Sequence, residues 1–312
     1  MLTQPFAEIL RQKKRVLLAG CGGGYDVFGA IPLWFELRSH GVEVHLASLS
    51  FCYLNGLANA KQSKLFPNLY EVTSDCATQS AYCPEAWLAK WLEAQAQQKV
   101  SVWCFEKTGV APLRAAYKYL AHTLKLDAII LLDGGVDALL RGDESSLGTP
   151  SEDLTSLAAV AAVPNVTSML ACLGMSAELR DGIQHAQVLA RIAELTKANA
   201  FLGAAALLQG TTYGKLYQEA TDYTFANQEH QRKSHVHTVI NLAMEGDFGH
   251  KGAEIWINPL MNLYWFFSLP EVVQSHLFLS RLQDTQSIWD MVAGIEAARK
   301  TIPILSKNEI PL

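Results

Sequence analysis

Ala128 to Leu132 is an unbroken apolar run of strand length, and it stops at Asp133, where a loop of acids and glycines begins. A run apolar on every side chain reads as a parallel strand covered on both faces. Ligands of parallel sheets gather beyond the carboxyl ends of the strands, so Asp133, Gly134, Gly135 and Asp137 fall where chemistry is done. The loop adds Asp143 and Glu144 against a single Arg141. A solvated turn is the bland alternative, since acidic glycine loops are common turn material. Carboxylates this dense repel one another unless a cation neutralises them, and oxygen-rich sets suit Mg²⁺ or Mn²⁺ better than zinc. The other way out is a raised pKa and proton-transfer work.

Thr149, Pro150 and Glu152 read as a helix start, with Thr149 as N-cap, Pro150 at the first position and Glu152 closing a capping box. Capping is favoured over direct ligation for Glu152. Asp153 then serves the helix dipole. The same helix start offers backbone N–H groups near Thr149 and Ser151 to a phosphate.

Upstream, Val16 to Ala19 is a buried strand followed by GCGGGYDVFGA. Gly20, Gly22, Gly23 and Gly24 can let a ligand approach the backbone, although a tight turn needs glycines too. A dinucleotide fingerprint wants its third glycine where Tyr25 stands and an acid at the end of the second strand. That strand, Val42 to Ser48, ends without one, which disfavours NAD or S-adenosylmethionine bound in the usual way. Asp26 instead places a carboxylate beside the glycines. Cys21 lies in the same loop; the other cysteines are scattered, with no C-x-x-C pair, so neither a zinc framework nor a disulfide scaffold is signalled.

Strand-length runs at Val100 to Phe105, Val166 to Leu173 and Leu202 to Leu208 alternate with helical patterns at Pro84 to Gln97, Pro112 to Lys125, Leu154 to Val163 and Gln184 to Ala198. This alternation predicts an α/β fold, a Rossmann-like, doubly wound, mostly parallel sheet with helices on both faces. The chain reads as one domain, with a core sheet over about 14–210 and a mainly helical C-terminal part over about 211–312. Phe51 to Gln79 carries no evident chemistry. Lys107, after the third strand, is a candidate phosphate partner or half of an exposed salt pair. His230, His235, His237 and His250 lack metal spacing; one His turned toward the site remains a candidate acid or base, His235 first. Ile255 to Ser268 is crowded with aromatics and reads as core or a subunit contact, leaving a homo-oligomer open.

The net charge of −5 supplies no basic surface for nucleic acid. No apolar run reaches the length of a bilayer span and no signal peptide is evident, so a cytoplasmic location is expected. Missing GKS or GKT after the glycines disfavours a P-loop enzyme, and Ser145 and Ser146 lack a G-x-S-x-G setting.

The two long motifs, GCGGGYDVFGAIPLWFELRSHGVEVHLASLSF and DAIILLDGGVDALLRGDESSLGTPSEDLTSLAAV, with MEGDFG and NPLMNLYWFF, resemble the domain of unknown function 1152 (DUF1152) family. The resemblance runs from about Val16 to Arg299. It implies a Rossmann-like fold in prokaryotic cytosol and no assigned reaction. From the residues, the expected function is an enzyme acting with Mg²⁺ or Mn²⁺ on a small phosphorylated or nucleotide-like substrate, by hydrolysis or group transfer. Asp133, Asp137 and Asp143 are the expected metal ligands, Glu144 or Asp26 the base, and the glycine loop with Thr149 and Ser151 the phosphate site. The alternatives are a nucleotide-cofactor enzyme and a non-catalytic nucleotide sensor.

Overall fold

The computed structural model describes residues 4–228, 231–250 and 255–307. The strands are β1 (Arg15–Gly20), β2 (Glu43–Leu49), β3 (Lys61–Gln62), β4 (Leu69–Thr73), β5 (Ser101–Phe105), β6 (Ala128–Asp133), β7 (Thr167–Leu173), β8 (Phe201–Ala206) and β9 (Leu263–Ser268). The helices are α1 (Pro5–Leu10), α2 (Ile31–Ser39), α3 (Pro84–Ala96), α4 (Val110–Thr123), α5 (Pro150–Ala161), α6 (His185–Lys197), α7 (Thr212–Asn227), α8 (His235–Met244), α9 (Leu269–Gln274) and α10 (Ile288–Arg299). All nine strands form one sheet in the order β3-β4-β5-β2-β1-β6-β7-β9-β8.

The central five, β5-β2-β1-β6-β7, are parallel, and antiparallel strands extend the sheet at both edges. β1 and β6 carry no exposed residue because both of their faces are covered. Leu17, Ile129 and Leu131 face a core built with α4, α5, α6 and α10, while Val16, Leu18 and Ile130 face one built with α2, α3 and α7. Helices therefore pack on both faces. Pro32 starts α2 rather than kinking it, consistent with a fixed φ near −65°.

The C-terminal part is not only helical. Its aromatic run supplies β9, which inserts between β7 and β8 and is antiparallel to both. Strand alternation explains the aromatics: Phe267 and Trp265 face one core, Tyr264 and Phe266 the other. The pairing joins residues almost a hundred positions apart in sequence, beyond the reach of local periodicity. Among the described residues no helix is long and apolar enough to cross a membrane.

Candidate functional site

Because β1 and β6 are neighbours in register, Gly20 opposite Leu132, the loops that leave them begin side by side. Asp26, opening a 3₁₀ turn over Asp26–Ala30, ties the two loops together. Its Oδ2 accepts from the Gly22 and Gly23 amides at 2.6 and 3.2 Å, and the Gly134 amide also bonds to it. Asp133 ends β6, and Asp153 enters from the first turn of α5. One carboxylate oxygen from each of Asp26, Asp133 and Asp153 lies within 4.8 Å of the others. The Asp153 Oδ1 atom is buried and makes no hydrogen bond.

Two more acids complete the floor. Asp137 Oδ2 accepts from the Thr149 amide at 2.9 Å and the Thr149 hydroxyl at 3.3 Å. Glu178, from the loop after β7, accepts from the Val136 and Asp137 amides at 2.7 and 3.1 Å. The glycines make room for these carboxylates. A Cβ on Gly22 would collide with Asp153 Oδ1, and one on Gly135 with the Glu178 carboxylate. A Cβ on Gly134 would stand 2.6 Å from Asp26 Oδ1, and one on Gly148 2.6 Å from Asp137 Oδ2. The space at Gly23, whose φ is +134°, is taken by the ring of Phe51. The glycine and acid patterns are thus one feature: backbone bared so that acids can crowd it.

The acids floor a cleft of about 650 Å³. Phe51 and Tyr82 stand on one side, and Arg180, Arg232, Lys233 and His235 supply nitrogen-bearing side chains to the wall. A family described as "Protein of unknown function (DUF1152)" matches residues 61–301. The chain belongs to the DUF1152 family. No curated protein and no solved structure matches it. The DUF1152 match holds Asp133, Asp137, Asp153 and Glu178, whereas the glycine loop and Asp26 precede it.

In this DUF1152 chain burial drives every floor carboxylate toward the protonated form. Asp26 rises to about 7, mainly by burial, with Asp137's charge adding to it and the Gly22 and Gly23 amides opposing it. Asp133, Asp153 and Glu178 are pushed well above the usual carboxylate range, first by burial and then by the neighbouring acids. Asp137 is raised too, with the Thr149 amide and the Glu178 and Asp153 carboxyls holding it back. A divalent cation relieves the same repulsion by replacing protons, and an all-oxygen donor set suits Mg²⁺ or Mn²⁺.

The expected site residues separate into two groups. Asp26, Asp133, Asp137, Gly22, Gly23, Gly24, Gly134 and Thr149 all line the cleft. Gly20 packs against the Asp26–Ala30 turn, where a Cβ would lie 2.8 Å from the Val27 amide. Asp143 and Glu144 are directed elsewhere. Asp143 pairs with Arg141, Oδ1 lying 3.1 Å from Nε, and Glu144 caps the Arg141 and Gly142 amides, each at 2.8 Å. Their carboxylates fold the loop back on itself, and Asp153 and Glu178 occupy the floor beside Asp133 and Asp137. Asp137 itself stands outside the closest triad, held by Thr149.

The start of α5 also differs from expectation. Thr149 is the N-cap residue but makes no side-chain cap, because its hydroxyl and amide are both spent on Asp137. Glu152 pairs with Lys107 at 2.7 Å instead of closing a box, and Lys107 Nζ lies 4.0 Å over the Phe51 ring. The anion at this helix end is Asp137's own carboxylate. Ser151 and Lys107 are not among the described lining residues. The Cys21 thiol is raised by burial and three aspartates, so it stays a thiol.

His235 borders the cleft, but the deeper imidazole is His237, fully buried and lowered to about 4 by burial, with the Tyr25 backbone offering partial compensation. The Tyr217 hydroxyl, kept protonated by burial, lies 2.5 Å from His237 Nδ1. His237 Nε2 is buried without a hydrogen-bond partner and lies 3.7 Å from the Cβ position of Gly134. His250 lies edge-on to Trp256 and is not among the residues that line the cleft. His230 lies outside the described residues.

Gly22→Ala introduces no positive-φ strain yet drives its Cβ into Asp153, so Mn²⁺ affinity should fall about tenfold or more, while metal-free stability changes by only about 1–3 kcal/mol. Calorimetric titration and thermal melts of the same variant separate the two effects. Unchanged Mn²⁺ affinity would mean that Asp153 takes no part in binding.

Proposed function

We propose that the chain is a divalent-metal-dependent enzyme acting on a small phosphorylated substrate, by hydrolysis or transfer of the phosphoryl group. The observation that carries this reading is the triad of Asp26, Asp133 and Asp153, with one carboxylate oxygen of each within 4.8 Å of the others, beside which the Asp153 Oδ1 atom is buried without a hydrogen bond. These three residues would hold Mg²⁺ or Mn²⁺, which supplies Lewis-acid stabilisation of phosphoryl oxygens and lowers the pKa of a bound water. Asp137 and Glu178 are hydrogen-bonded to each other at the edge of the floor, and an ionised carboxylate of this pair would accept a proton from an attacking water. Arg180, Arg232 and Lys233 line the same cleft, so an anionic substrate would be drawn to them while the floor stays with the cation.

The strand order supports a Rossmann-like, doubly wound reading, with the cleft at the carboxyl ends of β1 and β6, where the order of the parallel strands reverses. The Phe51 ring over Gly23 and the carboxylates over Gly22 and Gly134 weigh against a dinucleotide on this loop, since they fill the approach a pyrophosphate needs. The test is phosphate release from a panel of small phosphomonoesters and nucleotides with Mn²⁺ or Mg²⁺. Turnover should require the metal, and the double variant Arg232→Ala, Lys233→Ala should raise KM about tenfold, the loss of roughly 1.4 kcal/mol of anion binding. Release no faster than the protein-free rate across the whole panel would end this reading.

A further inference from the structure

Away from the acid cleft, α1 and α2 stand apart over the β8–β9 flank of the sheet and leave a second cavity of about 620 Å³. Its depth has a local cause. α1 has only six residues, too short to cover the flank as a full crossover helix does, and Ala205 and Ala206 of β8 raise little side chain from the floor. Phe6 stacks on Phe266 at 3.9 Å and closes one side. Leu10, Leu37, Leu207 and Phe266 are almost wholly shielded from bulk water yet line this space. A chamber of this size, lined largely by apolar side chains with a few polar ones, has the build of a small-molecule site.

The charge at the margin is asymmetric. Arg11 and Lys14 are exposed at the mouth, and among the described residues neither side chain has an ion-pair partner. Lys13 is turned away to the Thr167 hydroxyl at 2.7 Å. The acid on the wall, Glu36, is engaged by His40 at 3.8 Å and by the Tyr213 hydroxyl, so it does not answer the two cations. An apolar interior beside uncompensated cations matches a molecule with the opposite distribution. We infer that this cavity binds a single-chain amphiphile with an anionic head, its tail between α1 and α2 over β8 and β9 and its head at Arg11 and Lys14.

The experiment titrates the full chain by calorimetry with dodecanoate and with dodecyl phosphate, each below its micellar concentration, and with dodecylamine as the cationic control. Saturable binding of one anionic amphiphile per chain is expected, at least tenfold tighter than the amine, and the two anions distinguish a carboxylate head from a phosphate head. Arg11→Glu with Lys14→Glu should weaken the anions at least tenfold and leave the melting temperature close to wild type, because both side chains are exposed. Leu33→Gln, on the half-buried wall of α2, should weaken all tailed ligands alike. Failure to saturate, equal affinity for the amine, or indifference to the charge reversal would each overturn the assignment. So would a wild-type dimer in sedimentation that Leu33→Gln splits, since a second copy would then occupy the groove. Mn²⁺ binding at the acid cleft should be unchanged in these variants, which keeps this test separate from that of the phosphoryl-transfer reading.

Discussion

Asp133→Asn is expected to abolish divalent-metal binding while making the metal-free protein more stable. The side chain sits at the end of β6, fully enclosed, with the charges of Asp137 and Asp26 against it. Asparagine keeps the shape and can still accept from the Ala138 amide, 3.3 Å from Oδ2 in the native chain. Its NH₂ group can donate to the remaining acids, so the repulsion falls. The same change removes an anionic ligand, and Mn²⁺ affinity should drop at least about 100-fold, near 3 kcal/mol. Thermal melts at pH 8 without metal should move up, and melts with saturating Mn²⁺ should lack the metal-induced rise expected of the native protein. A variant that loses stability without metal would show that Asp133 serves the fold rather than the cation.

The second large effect is in pH. A carboxylate whose folded pKa is raised binds its proton more tightly in the folded state than in the unfolded chain. Its stabilising contribution is full below the unfolded pKa, near 4, and is lost as pH rises through the folded value. That value is about 7 for Asp26, and Asp133, Asp153 and Glu178 are shifted in the same direction. Metal-free protein should therefore lose stability between pH 5.5 and 8, by several kcal/mol, or a fall in Tm of roughly 5–10 °C. Mn²⁺ should restore it at pH 8 and do little at pH 5.5, where protons compete for the same oxygens. A flat or rising metal-free melt over this range would contradict a protonated floor.

The parallel core was legible because its signals are local. Apolar runs over Val16 to Ala19 and Ala128 to Leu132 mark strands covered on both sides, and the acids and glycines just beyond them mark the cleft. Which acids turn inward was not local. Asp143 and Glu144 follow β6 closely in sequence, yet Arg141 and two loop amides satisfy them first. Asp153 has two compatible roles, since the first turn of α5 stabilises a carboxylate by its dipole and also points it at Asp133. Glu178 was within reach of the rule that found Asp133, because it lies in the loop beyond another parallel strand, β7. The buried histidine was readable in phase: Ser234 accepts from the His237 amide as N-cap, which sets His237 at the third helical position. β9 left only an aromatic run, because the pairing that makes it a strand belongs to β7 and β8.

The measurement that bears most directly on the acid cluster is anomalous scattering from crystals of the protein soaked in Mn²⁺ at pH 8. One peak is predicted among Asp26, Asp133 and Asp153, with carboxylate oxygens at about 2.1–2.3 Å, and no peak there in Asp133→Asn. Crystals with full Mn²⁺ occupancy elsewhere and no density at this triad would contradict the account.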